Sequence, residues 1–386
     1  MKKRSGISVA LMLVAAALIV CSVPAVTASA AAPAPELASP SFILTEAETG
    51  TVLCEHNARE HRPIASMVKI MTLLLTFENI GSGALSETEM ITASENAASM
   101  GGSQAYLDAH AEYEVGELIK SIAVASANDS CVALAERISG SVDGFVAEMN
   151  EKAKQLGMED TNFVNCTGLP APNQYSCARD AAIMFGELIG YDGFFGYSEV
   201  WMFDFEHPSG RKTALTNTNK MIRSYEGCDG GKTGFTNEAK YCLSATAKRG
   251  DTRLIGVIAG AESSAKRNAE MAKLFDHGFA NYEVKQVIFG GAETDVRYEA
   301  EGSREGSVGL APASDGFYLS ERGEGGEIGY RIELDELPLP IAKGTAAGRI
   351  YATVGGRTVA ESELVTTGEL NEKTYLDVLK DILDRM

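Results

Sequence analysis

Positive charge is scarce in this chain: 34 Lys and Arg stand against 53 Asp and Glu among 386 residues, a formal net charge of −19. A balance this acidic repels phosphate backbones and anionic headgroups, which argues against nucleic acid or acidic lipid as an electrostatic partner. Cysteine is sparse as well, with seven residues and no Cys-x-x-Cys. No His-Glu-x-x-His is present to build a zinc peptidase site. No Gly-x-Ser-x-Gly is present to build a Ser-His-Asp hydrolase. The five histidines (His56, His61, His110, His207 and His277) lie in polar or loop contexts and read as surface or structural groups. Internal repeats are lacking.

What is there begins with a leader. Met1-Lys2-Lys3-Arg4, an apolar run over residues 9–20 and Ala28-Ser29-Ala30 have the three parts of a secretory signal peptide over residues 1–30. The bulky Leu18-Ile19-Val20 before Cys21 argues against a lipid-modified cysteine. The expectation is an exported protein acting outside the cytoplasm, in the cell wall or on the outer face of the membrane. Losing the leader's three cations takes the balance from −19 to about −22. The remaining length suggests two domains. Six cysteines remain: Cys54, Cys131, Cys166, Cys177, Cys228 and Cys242. Their even number permits disulfides in an exported chain, but their scatter through core-like segments favours free, buried thiols.

Residues 41–45 and 51–54, joined by a turn at Glu48-Thr49-Gly50, predict a β-hairpin. Pro63 marks the start of a helix that stays apolar nearly all round to Phe77, as in a core. Residues 87–189 read as mostly helical. Within them, segments 117–125 and 131–138 are two buried helices joined tightly through Ser126-Ala127-Asn128-Asp129-Ser130. An amphipathic helix over 145–156 stops at Gly157. Strands follow at 230–236, 241–247 and 254–259, then a closing helix at 265–279. This makes residues 31–282 one domain. Glycine-rich turns between short alternating runs make residues 283–368 a small all-β domain. Over residues 369–386 an amphipathic helix gathers Tyr375, Leu376, Leu379, Ile382, Leu383 and Met386 on one face. Its other face lacks the basic residues that help a helix onto a membrane surface.

Three short motifs carry chemistry. In Ser66-x-x-Lys69 the two side chains are helical neighbours, with Cβ atoms roughly 5–6 Å apart. With Thr72 and Thr76 they occupy an arc of about 120°. A serine becomes a nucleophile when a base takes its proton. Lysine serves as that base once burial or a second cation lowers its pKa. Lys232, in Lys232-Thr233-Gly234, would supply the second cation. In Ser126-x-Asn128 the hydroxyl can relay a proton to a leaving nitrogen, while the Asn128 amide can hold Lys69 and a substrate backbone. Gly234 lets a strand edge approach an extended peptide, whose terminal carboxylate Lys232 and Thr233 would hold. Duplicates at Ser94-Glu95-Asn96 and Ser263-Ser264-Ala265-Lys266 are set aside for their position and order.

This arrangement resembles the penicillin-recognising serine enzymes, most closely the low-molecular-mass penicillin-binding proteins that act as D-alanyl-D-alanine carboxypeptidases. Residues 94–103, 126–129, 150–158 and 231–239 carry the likeness, which spans residues 41–282 strongly and 283–365 more loosely. The resemblance implies an α/β (α+β) transpeptidase fold: a five-stranded antiparallel sheet covered by helices, a helical subdomain bearing Ser126, and a C-terminal all-β domain. It implies Ser66, Lys69 and Ser126 as catalytic residues. Asn128, Lys232, Thr233, Gly234 and Phe235 would bind substrate, with the N–H groups of Ser66 and Phe235 forming the oxyanion hole. The substrate it implies is the D-Ala-D-Ala end of a peptidoglycan stem peptide, with β-lactams as acylating inhibitors, no metal or cofactor, and peripheral membrane contact through the C-terminal helix. Two features depart from the pattern: that helix is unusually charged, and Cys166 and Cys177 stand where other small residues are expected. A β-lactamase would need a deacylating glutamate, and no Glu-x-x-Leu-Asn lies between Asn128 and Lys232. A catalytically impaired wall-binding module is opposed by the intact motifs.

Overall fold

Alternation in the strands and long apolar helices build a layered core that can be followed along the chain. The computed structural model describes residues 33–324 and 326–384; the expected leader and Met386 lie outside them. Strands β1 (Ser41–Glu46) and β2 (Val52–His56) form the expected hairpin. A 3-10 turn, Ala65–Val68, leads into α1 (Lys69–Gly81). Next come β3 (Met90–Thr92), α2 (Glu95–Ala98), β4 (Glu112–Glu114), α3 (Val115–Ala125), α4 (Asn128–Ser139) and α5 (Val142–Gln155). Then follow α6 (Ala178–Ile189), α7 (Gly193–Ser198), β5 (Met202–Glu206), β6 (Lys212–Thr216) and α8 (Met221–Ser224). Strands β7 (Cys228–Thr236), β8 (Lys240–Arg249) and β9 (Thr252–Ala261) precede α9 (Ser264–Asn281).

The central sheet is antiparallel, in the order β2-β1-β9-β8-β7. Successive side chains point to opposite faces of a strand, and both faces are buried. Ile43, Ile255 and Val257 pack on one side with α1 and α6. Phe42, Leu44, Leu254 and Ile258 pack on the other with Met271, Leu274 and Phe275 of α9. The run from Lys69 to Phe77 is buried throughout, so the polar stripe of α1 is internal.

Residues 87–189 are less helical than expected. Strands β3 and β4 pair at Ile91↔Tyr113, and residues 157–177 form no helix. Side chains fix that stretch in place of a backbone ladder: Gln174 Oε1 accepts from the N–H of Val164 and Asn165, and Asn150 Oδ1 from that of Phe163.

From Tyr282 the chain is nearly all strand: β10 (Tyr282–Ile288), β11 (Arg297–Glu299), β12 (Ser307–Pro312), β13 (Gly316–Glu321), β14 (Ile328–Leu334), β15 (Ala346–Val354) and β16 (Arg357–Thr366). Strands β10 and β13 pair, and the rest form a second five-stranded sheet in the order β11-β12-β16-β15-β14. Val287, Leu310, Ile350, Ala352 and Leu364 make its own core. Helix α10 (Tyr375–Asp384) exposes its apolar residues, with Tyr375 81% and Leu376 73% accessible.

All six described cysteines are buried and free. Cys177 takes a role usual for serine, its Sγ accepting the Asp180 N–H at 3.3 Å at the start of α6.

Candidate active site

The 3-10 turn holds Ser66 half-exposed immediately before the buried α1. Ala65 adopts a left-handed conformation (φ 48°), which a non-glycine residue enters only under constraint. Two glycines supply the constraint. A Cβ on Gly168 would stand 2.0 Å from the Ala65 carbonyl oxygen, and one on Gly234 2.5 Å from that of Ile64. Backbone therefore presses on the Ser66 turn from two sides, where no larger residue fits.

Lys69 Nζ lies 3.0 Å from Ser66 Oγ and also donates to the carbonyl of Thr167. That carbonyl is aimed by Asn165, whose Oδ1 accepts from the N–H of Thr167 (3.1 Å) and of Gly168 (2.7 Å). One turn on, Thr72 Oγ1 donates to the Cys166 carbonyl at 2.7 Å. The polar stripe thus docks a loop. Lys69 is fully buried, and burial holds its pKa below the usual 10.5.

Ser126 occupies a left-handed corner (φ 65°) between α3 and α4. The connection is tighter than expected, since Asn128, Asp129 and Ser130 already form the first turn of α4. Lys232 Nζ reaches across from β7 to Ser126 Oγ at 2.9 Å. Lys232 is 2% exposed, and burial, followed by the charges of Lys69 and Arg267, drives its pKa well below the usual value. Among the described residues, neither amine forms an ion pair with a carboxylate.

The remaining expected residues surround this pair. Thr233 Oγ1 donates to Thr218 Oγ1 at 2.8 Å. Phe235 is half-exposed and packs against Tyr241 with the rings tilted by 35° and their centroids 4.4 Å apart. The Asn128 amide nitrogen donates to the Gly101 carbonyl at 2.6 Å rather than holding Lys69. Both duplicate motifs are helix caps: Ser94 Oγ accepts from Ala97 N–H and Ser263 Oγ from Lys266 N–H.

Sequence reasoning missed three contributors. Thr167 acts through its carbonyl, which no side-chain pattern reveals. Thr218 stands between Asn217 and Asn219, whose amides donate to nearby carbonyls, and its own N–H donates to Val124 O at 3.0 Å. Asp129 accepts the N–H groups of Ala105 (3.0 Å) and Leu107 (3.1 Å), tethering the loop over Asn128. The Asn217-Thr218-Asn219 triplet was the only visible signal.

A serine beside a buried, unneutralised lysine, with a second lysine and serine opposite, defines a serine acyl-transfer centre. Comparisons with known proteins agree. The family profile described as D-alanyl-D-alanine carboxypeptidase matches residues 27–263, and that of the penicillin-binding protein 5 C-terminal domain matches residues 282–372. The D-alanyl-D-alanine carboxypeptidase DacF of Bacillus subtilis is 38% identical over 342 residues, 88% of each chain. DacA of Haemophilus influenzae is 32% identical over 90% of this chain and 89% of its own. The crystal structure of penicillin-binding protein 5 from Haemophilus influenzae superposes with a TM-score of 0.73 at 31% identity, covering 88% of this chain and 100% of that one. The chain belongs to the D-alanyl-D-alanine carboxypeptidase family of low-molecular-mass penicillin-binding proteins, and it is a serine peptidase.

Proposed function

We propose that Ser66 is the nucleophile and Lys69 its base in removing the terminal D-alanine from peptidoglycan stem peptides. The observation that carries this reading is the pair of short links, Lys69 Nζ to Ser66 Oγ at 3.0 Å and Lys232 Nζ to Ser126 Oγ at 2.9 Å, with the two amines near enough for the Lys69 charge to act on Lys232. Neutral Lys69 takes the Ser66 proton as Oγ attacks the carbonyl of the penultimate residue. The N–H groups of Ser66 and Phe235 receive the developing oxyanion. Ser126, held by Lys232, hands a proton to the departing D-alanine nitrogen, leaving an acyl-enzyme that water hydrolyses. Lys232 and Thr233 hold the terminal carboxylate, Asn128 meets the substrate backbone, and Gly234 lets β7 lie close to it. β-Lactams acylate the same serine.

The test is labelling with a fluorescent penicillin. Wild type gains a covalent adduct and Ser66→Ala gains none, while D-alanine is released from diacetyl-L-Lys-D-Ala-D-Ala by wild type alone. An adduct on Ser66→Ala would sink the assignment.

Residues 31–282 form the catalytic domain in this reading, 283–368 a β-domain and 369–386 an amphipathic C-terminal helix. In the same reading residues 1–30 direct export, and the protein acts outside the cytoplasm, at the wall or the outer membrane face. Among the described residues no helix is long and apolar enough to cross a membrane, but the bare apolar face of α10 suits peripheral lipid contact. Truncation after Thr374 is expected to abolish co-sedimentation with phospholipid vesicles and leave penicillin labelling intact.

A further inference from the structure

The β-domain holds a hollow of about 480 Å³, and none of the residues lining it belongs to the acyl-transfer centre. Val287 from β10, Ile332 from β14 and Ile350 from β15 give it apolar walls. Phe289 and Tyr330 also line it, yet they stay 55% and 56% exposed. Tyr330 donates its hydroxyl proton to the Val287 carbonyl at 2.8 Å, which fixes the ring across the hollow. Aromatic surface left bare around a concavity marks a place where something else docks.

The neighbouring strand offers the means. Strand β14 ends its sheet: β15 pairs one edge, and no strand among the described residues pairs the other. Such an edge keeps backbone N–H and C=O groups that an extended peptide can pair. Alternate residues share a face, so Ile328, Tyr330, Ile332 and Leu334 lie toward the hollow. Arg331 and Glu333 lie on the opposite face, paired with each other. A strand added to β14 would therefore send every second side chain toward the hollow.

Charge decides what that strand is. Glu293 and Asp295 border the hollow, and no lysine or arginine does. Asp295 forms no ion pair among the described residues. Glu293 lies 4.0 Å from Arg297, with both side chains about half exposed. A second copy of the chain would bring the same two carboxylates and another −19 to the contact, which disfavours pairing of β14 with itself. A segment with an apolar side chain between two cations suits both walls and rim.

We propose that the β-domain docks an extended, cationic segment of a partner protein. It adds as a strand to β14, with an apolar side chain in the hollow and lysine or arginine at Glu293 and Asp295. The test uses the full chain and three fluorescein-labelled peptides, read by anisotropy at low salt. These are Thr-Lys-Thr-Phe-Thr-Lys-Thr, whose Lys, Phe and Lys share a face, a version with Ala for Phe, and one with Glu for both Lys. Wild type is expected to bind the first about tenfold more tightly than either control. Glu293→Gln combined with Asp295→Asn should weaken that binding about threefold, with unchanged penicillin labelling to show an intact fold. With benzoylphenylalanine in place of Phe, photo-adducts are expected on residues 287–296 or 328–334. Equal affinity for all three peptides, indifference to the rim substitutions, adducts elsewhere or no binding at all overturns the proposal. So does a dimer cross-linked through β14, because a second copy then holds the edge.

Discussion

Burial sets the proton balance at Lys69. Burial without a carboxylate partner shifts the Lys69 amine toward its neutral form, the form that its proposed role as base requires. The rate of acylation by benzylpenicillin is therefore expected to rise with pH through a midpoint below 10.5 and then level off; an ascending limb still centred near 10.5 would contradict this. Stability follows the same sign. The native state disfavours the charged lysine, so the penalty is full below its lowered pKa. It fades as pH climbs from there to the ordinary value, and the fold gains stability across that window. The pairing of the motif serines with the motif lysines was legible because the contacts are made by side chains and the order of the motifs along the chain is distinctive. Thr167 was not, since its carbonyl would serve equally on another residue. The hydroxyl link between Thr218 and Thr233 depends on a loop geometry that spacing does not encode.

At the level of elements, β7 and the turn carrying Ser66 approach so closely that glycine is required between them. Gly234→Ala places a methyl group 2.5 Å from the Ile64 carbonyl oxygen, a backbone atom that cannot rotate aside. It should destabilise the fold by about 1–3 kcal/mol and slow acylation at least tenfold by widening the gap between Lys232 and Ser66. Thermal melts paired with penicillin-labelling rates check both effects, and an unchanged labelling rate would show that the contact is dispensable. The hairpin β1–β2, strands β7 to β9 and helix α9 were legible because their periodicities are clean. Residues 157–177 lacked such a signal: isolated backbone bridges at Asn162↔Tyr175 and Arg62↔Ser176 and the side chains of Gln174, Asn150 and Asn165 hold them, so no repeat marks their path. The small pair β3–β4 was hidden in the same way, each strand being three residues long.

For the whole molecule, the pairing of β1 with β9 is the feature least visible beforehand. Leu44 lies opposite Gly256, more than two hundred positions away in the chain, and alternation alone does not say which strands become neighbours. The likeness of the motifs to a known family supplied a five-stranded antiparallel sheet but not its order, β2-β1-β9-β8-β7, whereas the burial of both its faces follows from the strands' own apolar content.

An acidic chain buries two amines, Lys69 and Lys232, beside its motif serines. The chain carries −19 overall, yet the stem peptides proposed as its substrates end in carboxylates. Each must climb a repulsive slope before falling toward Lys232. Dissolved salt flattens that long-range slope over a Debye length of about 10 Å at 0.1 M, while the buried attraction is screened far less. Capture of anionic ligands should quicken as ionic strength rises, the reverse of enzymes that steer their substrates in from afar.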